Sequence, residues 1–110
     1  MIRVSEYIDS KGRSPYAAWF RKLNSRAAAK VATALVRIEQ GNLSSTKSVR
    51  GGVFEARIDF GPGYRVYFGK EGDTVVILLG GGTKKRQQHD VDSAKKLWRE
   101  YKNRKRLAGS

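Results

Sequence analysis

Hydrophobic and polar positions alternate in the second half of the chain and recur at helical spacing on either side of it. From Val53 to Phe60, Phe54, Ala56, Ile58 and Phe60 point one way and Glu55, Arg57 and Asp59 the other, which predicts a half-buried strand. The turn residues Gly61-Pro62-Gly63 follow. Tyr64, Val66 and Phe68 then alternate with Arg65, Tyr67 and Gly69, predicting the next strand. Glu71-Gly72-Asp73 reads as a second turn, and the continuous apolar run Val75 to Leu79 as a strand covered on both faces. Gly80-Gly81-Gly82 is expected to end that strand.

Before these strands, Ile2 to Ile8 mixes apolar and polar residues of β-forming types and predicts a first strand. Ser14-Pro15 reads as an N-cap with proline at the first helical position. The pairs Tyr16/Phe20 and Trp19/Leu23 form one stripe of a short helix. Asn24-Ser25 is expected to break that helix and cap a second. Ala28, Val31, Leu35 and Ile38 give the second helix its apolar face, and Gly41 its end. Asn42 to Lys47 reads as a polar loop, and Lys84 to His89 as a basic connector. Asp90 or Asp92 is expected to cap a last helix that carries Val91, Ala94, Leu97, Trp98 and Tyr101 on one face. The basic tail, residues 104–110, is expected to fray. The order β-α-α-β-β-β-α predicts an α+β fold in one domain over residues 1–110, with a small, mainly antiparallel sheet, two N-terminal helices and one C-terminal helix.

Charge adds what periodicity does not. The 110 residues carry 23 Lys+Arg against 10 Asp+Glu, a formal charge of +13. Such a field raises the local concentration of polyanions, whether nucleic acid, an acidic protein or an anionic membrane. There is no cysteine, which excludes disulfides, a cysteine zinc site and a thiol nucleophile. Met1 to Asp9 carries charge within its apolar stretch and does not read as a signal peptide, and no apolar run approaches the ~20 residues of a membrane span. These features point to a cytoplasmic protein without a membrane partner.

The hairpin can be drawn with a three-residue turn, so that Phe60 faces Tyr64, Ile58 faces Val66 and Ala56 faces Phe68. Asp59 then faces Arg65 and Arg57 faces Tyr67, which makes Arg57 and Arg65 diagonal neighbours roughly 7–8 Å apart. Two guanidiniums so placed can clamp a phosphate, with Tyr67 beside them to stack on a base. The three glycines would deliver Lys84, Lys85 and Arg86 to the same end of the sheet. The competing reading is that Arg57 and Arg65 pair with Glu55 and Asp59 on a solvated face.

Gly52-Val53-Phe54-Glu55-Ala56-Arg57-Ile58-Asp59, Gly61-Pro62-Gly63-Tyr64-Arg65-Val66-Tyr67-Phe68, and Leu79-Gly80-Gly81-Gly82-Thr83-Lys84-Lys85-Arg86-Gln87-Gln88, with Asp90 and Ala94, resemble the RelE/ParE superfamily of toxin–antitoxin toxins. More closely, it is similar to the addiction-module killer proteins near HigB and their phage-derived relatives. Trp19, Leu23, Leu35, Arg37, Gly41-Asn42 and Lys47 extend the resemblance over nearly the whole chain. It implies a small twisted sheet with two N-terminal helices and a C-terminal one. It also implies ribosome-dependent, metal-independent cleavage of messenger RNA, no cofactor, and a small DNA-binding antitoxin as partner. Arg65 falls where family nucleases hold a phosphate, and Lys84 to Arg86 where they place a second basic catalytic group. Arg57 fits the family's strand pattern.

Metal-free cleavage needs attack by a 2′-hydroxyl on the adjacent phosphorus, stabilisation of charge at the phosphate, and proton transfer at both oxygens. Arg65 and Arg57 are candidates for the charge, Lys84 or Lys85 for the base, and His89, the only histidine, for acid–base work. On this reading Arg65→Ala removes function and spares the fold. Two alternatives stand beside it: a gyrase-inhibiting toxin of the ParE type, and a basic ribosome- or nucleic-acid-binding module without catalysis.

Overall fold

The structure, a computed structural model, describes residues 1–109. Strand β1 is Arg3–Glu6, helix α1 Pro15–Phe20 and helix α2 Ser25–Glu39. Strands β2 to β5 are Thr46–Ser48, Val53–Ile58, Tyr64–Glu71 and Val75–Thr83. A 3₁₀ turn at Lys84–Arg86 leads into helix α3, Gln87–Ala108. Among the described residues the strands form one sheet in the order β1-β5-β4-β3-β2, in which β1 runs parallel to β5 and the remaining pairs are antiparallel. This is the expected α+β fold.

The caps behave as local chemistry dictates. The Ser14 hydroxyl accepts from the Ala17 N–H at 3.0 Å, with Pro15 opening α1. Asn24 Oδ1 accepts from the Ala27 N–H at 2.9 Å and starts α2. Gly41, at φ +85°, donates its N–H to the Ile38 carbonyl and closes α2. Helix α1 ends one turn early, so Leu23 packs from the link between helices rather than from the Trp19 stripe. The buried face of α2 is Ala27, Val31 and Ile38, with Ala34 and Leu35 half-buried, so Ala27 takes the place expected of Ala28.

The sheet separates two apolar clusters. Helices α1 and α2 cover Ala56, Ile58, Tyr64, Val66 and Phe68. Helix α3 covers Val53, Tyr67, Ile77 and Leu79 with Val91, Ala94 and Trp98. The face of β3 and β4 that carries Glu55, Arg65 and Tyr67 is therefore covered by a helix rather than solvated. Each cluster holds a tryptophan lying on a glycine. A Cβ at Gly69 would strike the Trp98 ring, and one at Gly81 the Trp19 ring.

Further expectations change. Gly80, Gly81 and Gly82 extend β5 instead of ending it, because Gly81 and Gly82 make room for the protein's own Trp19 and Asp90 side chains and not for a ligand. Thr46–Ser48, expected within a loop, is an edge strand on β3. Asn42 Oδ1 accepts from the Ser44 N–H and hydroxyl, and this turn folds the chain back onto β3. Helix α3 begins at Gln87, ahead of both expected caps. It also runs through Ala108, because Lys105 pairs with Glu71 at 2.7 Å and Arg104 donates to the Ile8 carbonyl at 2.6 Å. Residues 104–108 of the tail expected to fray are thus helical, and Ser110 lies outside the described residues.

The hairpin register differs by two residues. Ile58 faces Tyr64, Ala56 faces Val66 and Phe54 faces Phe68, with Arg57 opposite Arg65 and Glu55 opposite Tyr67. The shift keeps every side chain on its expected face. It lengthens the loop to 59–63, where Gly63 donates to the Phe60 carbonyl at 3.0 Å and Phe60 packs against the α2-side cluster. A bulge between β4 and β5 leaves Leu79 unpaired between Gly80 and Leu78.

Candidate functional site

The 59–63 loop and the start of the 3₁₀ turn meet at one end of the sheet. Gly61 and Gly63 have φ of +55° and +80°, a left-handed backbone that suits glycine. The Lys84 N–H donates to the Gly63 carbonyl at 3.0 Å and ties the two segments together. Between them lies a cleft of about 120 Å³ lined by Arg57, Asp59, Gly63, Tyr64, Arg65 and Lys84. Gly63 sits between two cations: a Cβ there would stand 3.8 Å from Lys84 Cβ and 3.9 Å from Arg65 Nη1.

Arg57 and Arg65 are directly opposed across the β3–β4 ladder, where like charges repel. Their side chains diverge. Arg57 is exposed, whereas Arg65 is 7% exposed and lies against Glu55, with Nε 3.1 Å from Oε1. Glu55 is fully buried. It also accepts from Gln87 Nε2 at 2.7 Å and has Lys47 Nζ 3.7 Å from Oε2. A buried carboxylate is tolerated where cations and donors surround it, and Glu55 has three such neighbours. Through Gln87 the same carboxylate fixes the start of α3, next to the segment that presents Lys84.

Tyr67 lies beneath α3 at 1% exposure, so its ring offers no stacking surface to a base. Its hydroxyl has no hydrogen-bond partner among the described residues. Burial, and then the nearby Glu55 carboxylate, push it far above the ordinary tyrosine range, so it stays protonated. Lys85, Arg86 and His89 stand outside the cleft lining, on the 3₁₀ turn and the first turn of α3. Asp90, whose carboxylate lies over Gly82, is raised above its ordinary 3.8 by burial, against the pull of Arg86 and His89.

The structure thus brings Arg57, Arg65 and Lys84 together and leaves Lys85, Arg86, His89 and Tyr67 aside. Sequence reasoning missed Gln87, and it set Glu55 and Asp59 beside the arginines only as ion-pair partners on a solvated face; the Arg65–Glu55 pair forms, but in the interior. The signal for Glu55 was present. Two amphipathic helices, α2 and α3, each need a sheet face, so both faces are covered and a glutamate on either must find a cation.

A family model described as "Phage derived protein Gp49-like (DUF891)" matches residues 18–102, which include every residue of the cleft. A protein of Haemophilus influenzae, described only as an uncharacterized protein, is 44% identical over 94 residues, covering 84% of this chain and 95% of that protein.

Proposed function

Because this chain belongs to the phage-derived Gp49-like family, we propose that it is the toxin of a toxin–antitoxin pair, of the RelE/ParE type, and that it cleaves messenger RNA on the ribosome. The observation that carries this reading is the convergence of Arg57, Arg65 and Lys84 on one small cleft that also holds Asp59. An excess of charge of +13 supports work on a polyanion in the cytoplasm.

In this reading the 2′-oxygen attacks the adjacent phosphorus and the bond to the 5′-oxygen breaks, leaving a 2′,3′-cyclic phosphate and a 5′-hydroxyl. Arg57 and the Nη1 end of Arg65 hold the negative charge that grows on the phosphate oxygens. The Asp59 carboxylate, the only one among the lining residues of the cleft, takes the 2′-proton, and the Lys84 ammonium gives a proton to the departing 5′-oxygen. Glu55 acts through Arg65 and not on the substrate. The partner is a small antitoxin protein that masks the basic cleft.

One observation favours a second reading, a basic binding module without catalysis: Arg65 is buried, with its Nε against the Glu55 carboxylate. Induced expression in bacteria, with mapping of new messenger-RNA 5′ ends, separates the two. Growth arrest with new ends in translated regions is expected. Arrest without new ends would turn attention to gyrase or to binding alone.

A further inference from the structure

Arg57 also walls a larger recess on the α2 side of the sheet. This recess has a volume of about 330 Å³ and lies between the second half of α2, the turn before β2 and the outer end of β3. Its rim carries Lys30, Arg37, Asn42, Ser45 and Arg57, and its floor is apolar, made by Ala34, Ile38, Ala56 and Ile58. A shallower groove along 44–47 connects it to the cleft, and Arg57 and Asp59 line all three.

The rim is rich in unengaged donors. Among the described residues the ion pairs are Lys47–Glu55, Arg65–Glu55 and Lys105–Glu71, so none neutralises Lys30, Arg37 or Arg57. The Lys30 ammonium stands over the Phe60 ring, 5.6 Å from its centroid. The Asn42 carbonyl oxygen is spent on Ser44, which leaves its amide N–H groups to donate elsewhere. The Arg57 backbone N–H donates to the Ser45 carbonyl at 3.0 Å, which fixes the turn against the strand and keeps the recess formed. A cationic, donor-rich rim over an apolar floor matches a nucleotide, with phosphate oxygens on the rim and sugar or base edge on the floor. The volume falls in the usual range for small-ligand sites, about 300–1,000 Å³.

We propose that this recess is a second nucleotide subsite, which holds the neighbouring nucleotide of the single RNA strand whose reacting phosphate lies in the Arg57–Arg65–Lys84 cleft. The inference rests on the nuclease reading and extends it along the strand. Arg57 stands between the two subsites and serves both phosphates.

The test is the binding of two 2′-O-methyl oligoribonucleotides, which cannot be cleaved, to the full chain: a dinucleotide and a six-nucleotide strand. The wild type is compared with Lys30→Ala/Arg37→Ala, which keeps α2 in good helix formers. A charge-matched control, Lys96→Ala/Arg99→Ala, removes two cations from α3, well away from the recess lining. The recess variant is expected to bind the longer strand on the order of tenfold more weakly, and to lower the slope of log affinity against log salt by about 0.7 for each phosphate no longer neutralised. Its dinucleotide affinity, and both affinities of the control, should match the wild type. Equal losses in the two variants would make the effect diffuse charge and overturn the subsite, as would an unchanged six-nucleotide affinity. Should that happen while induced cells still show new messenger-RNA ends, the recess falls and the nuclease reading stands. A wild type that binds neither strand overturns the subsite, and the nuclease reading is then decided by the messenger-RNA ends in induced cells alone.

Discussion

Arg57 and Arg65 face each other across the β3–β4 ladder, yet one guanidinium is free in solvent and the other lies 3.1 Å from the buried Glu55 carboxylate. The repulsion expected of such a pair is relieved by that division, and both still line the same cleft. The consequence for mutagenesis is direct. Arg65 is part of the interior as well as of the candidate site, so Arg65→Ala is expected to weaken the fold, where the sequence alone leads one to expect it spared.

Arg65→Ala removes the cation nearest to a buried carboxylate, and breaking such a pair typically costs about 3–5 kcal/mol. Adding Glu55→Gln should return part of that loss, because the neutral amide needs no counter-charge. Urea denaturation of the two single variants and the double variant measures the coupling. Strictly additive losses would show that the ion pair holds no share of the stability.

Trp98 lies flat on the backbone of Gly69, with its indole nitrogen 2.7 Å from where a Cβ of Gly52 would stand. Gly69→Ala should therefore overpack the α3 face and cost about 1–3 kcal/mol. Trp98→Ala should cost about 3–5 kcal/mol by leaving a cavity. In the double variant the glycine substitution should become nearly neutral. A full cost at Gly69 in the absence of the indole would show that backbone strain, not the ring, is responsible.

The C-terminal turns of α3 are anchored by Lys105 on Glu71. The hydrogen bond from Lys105 holds the Glu71 carboxyl below its ordinary 4.5. A carboxyl with a depressed folded value stabilises above its ordinary value and loses that contribution as pH falls through the lowered one. Amide protection factors at 104–108, corrected for the intrinsic pH dependence of exchange, should therefore fall below that pH, and Glu71→Gln should lower them likewise at neutral pH. Protection that ignores both changes would mean the turns are held by Arg104 on Ile8 and Tyr7 alone.

Much of the fold was legible because its signals are local. Ser14, Asn24 and Gly41 cap helices through contacts within a few residues, and the alternation of Phe54 to Ile58 needs only the pleat. The misreadings were tertiary. Gly80 to Gly82 look like a break until Trp19 and Asp90 lie on the last two of them. Thr46–Ser48 has no apolar alternation, and only the edge of β3 makes it a strand. In the site, Arg57, Arg65 and Lys84 were readable from resemblance and from their common end of the sheet. Glu55 was read only as a surface partner of the arginines, because its burial comes from helix α3 covering that face. Tyr67 was misread as an accessible ring for the same reason.

RNA cleavage at this cleft is tested most directly with Arg57→Ala and Lys84→Ala, which touch the cleft without uncovering a buried charge. Purified wild type and both variants are added to ribosomes translating a defined messenger RNA, and new 5′ ends are mapped by primer extension, with melting curves as a control for folding. Cuts by the wild type are expected and, with folding unchanged, a loss of about a hundredfold or more in each variant, as when a charge-stabilising group leaves a reacting phosphate. Cuts at the wild-type rate by both folded variants would contradict the assignment of the cleft, and so would a wild type that arrests translation yet leaves the messenger intact.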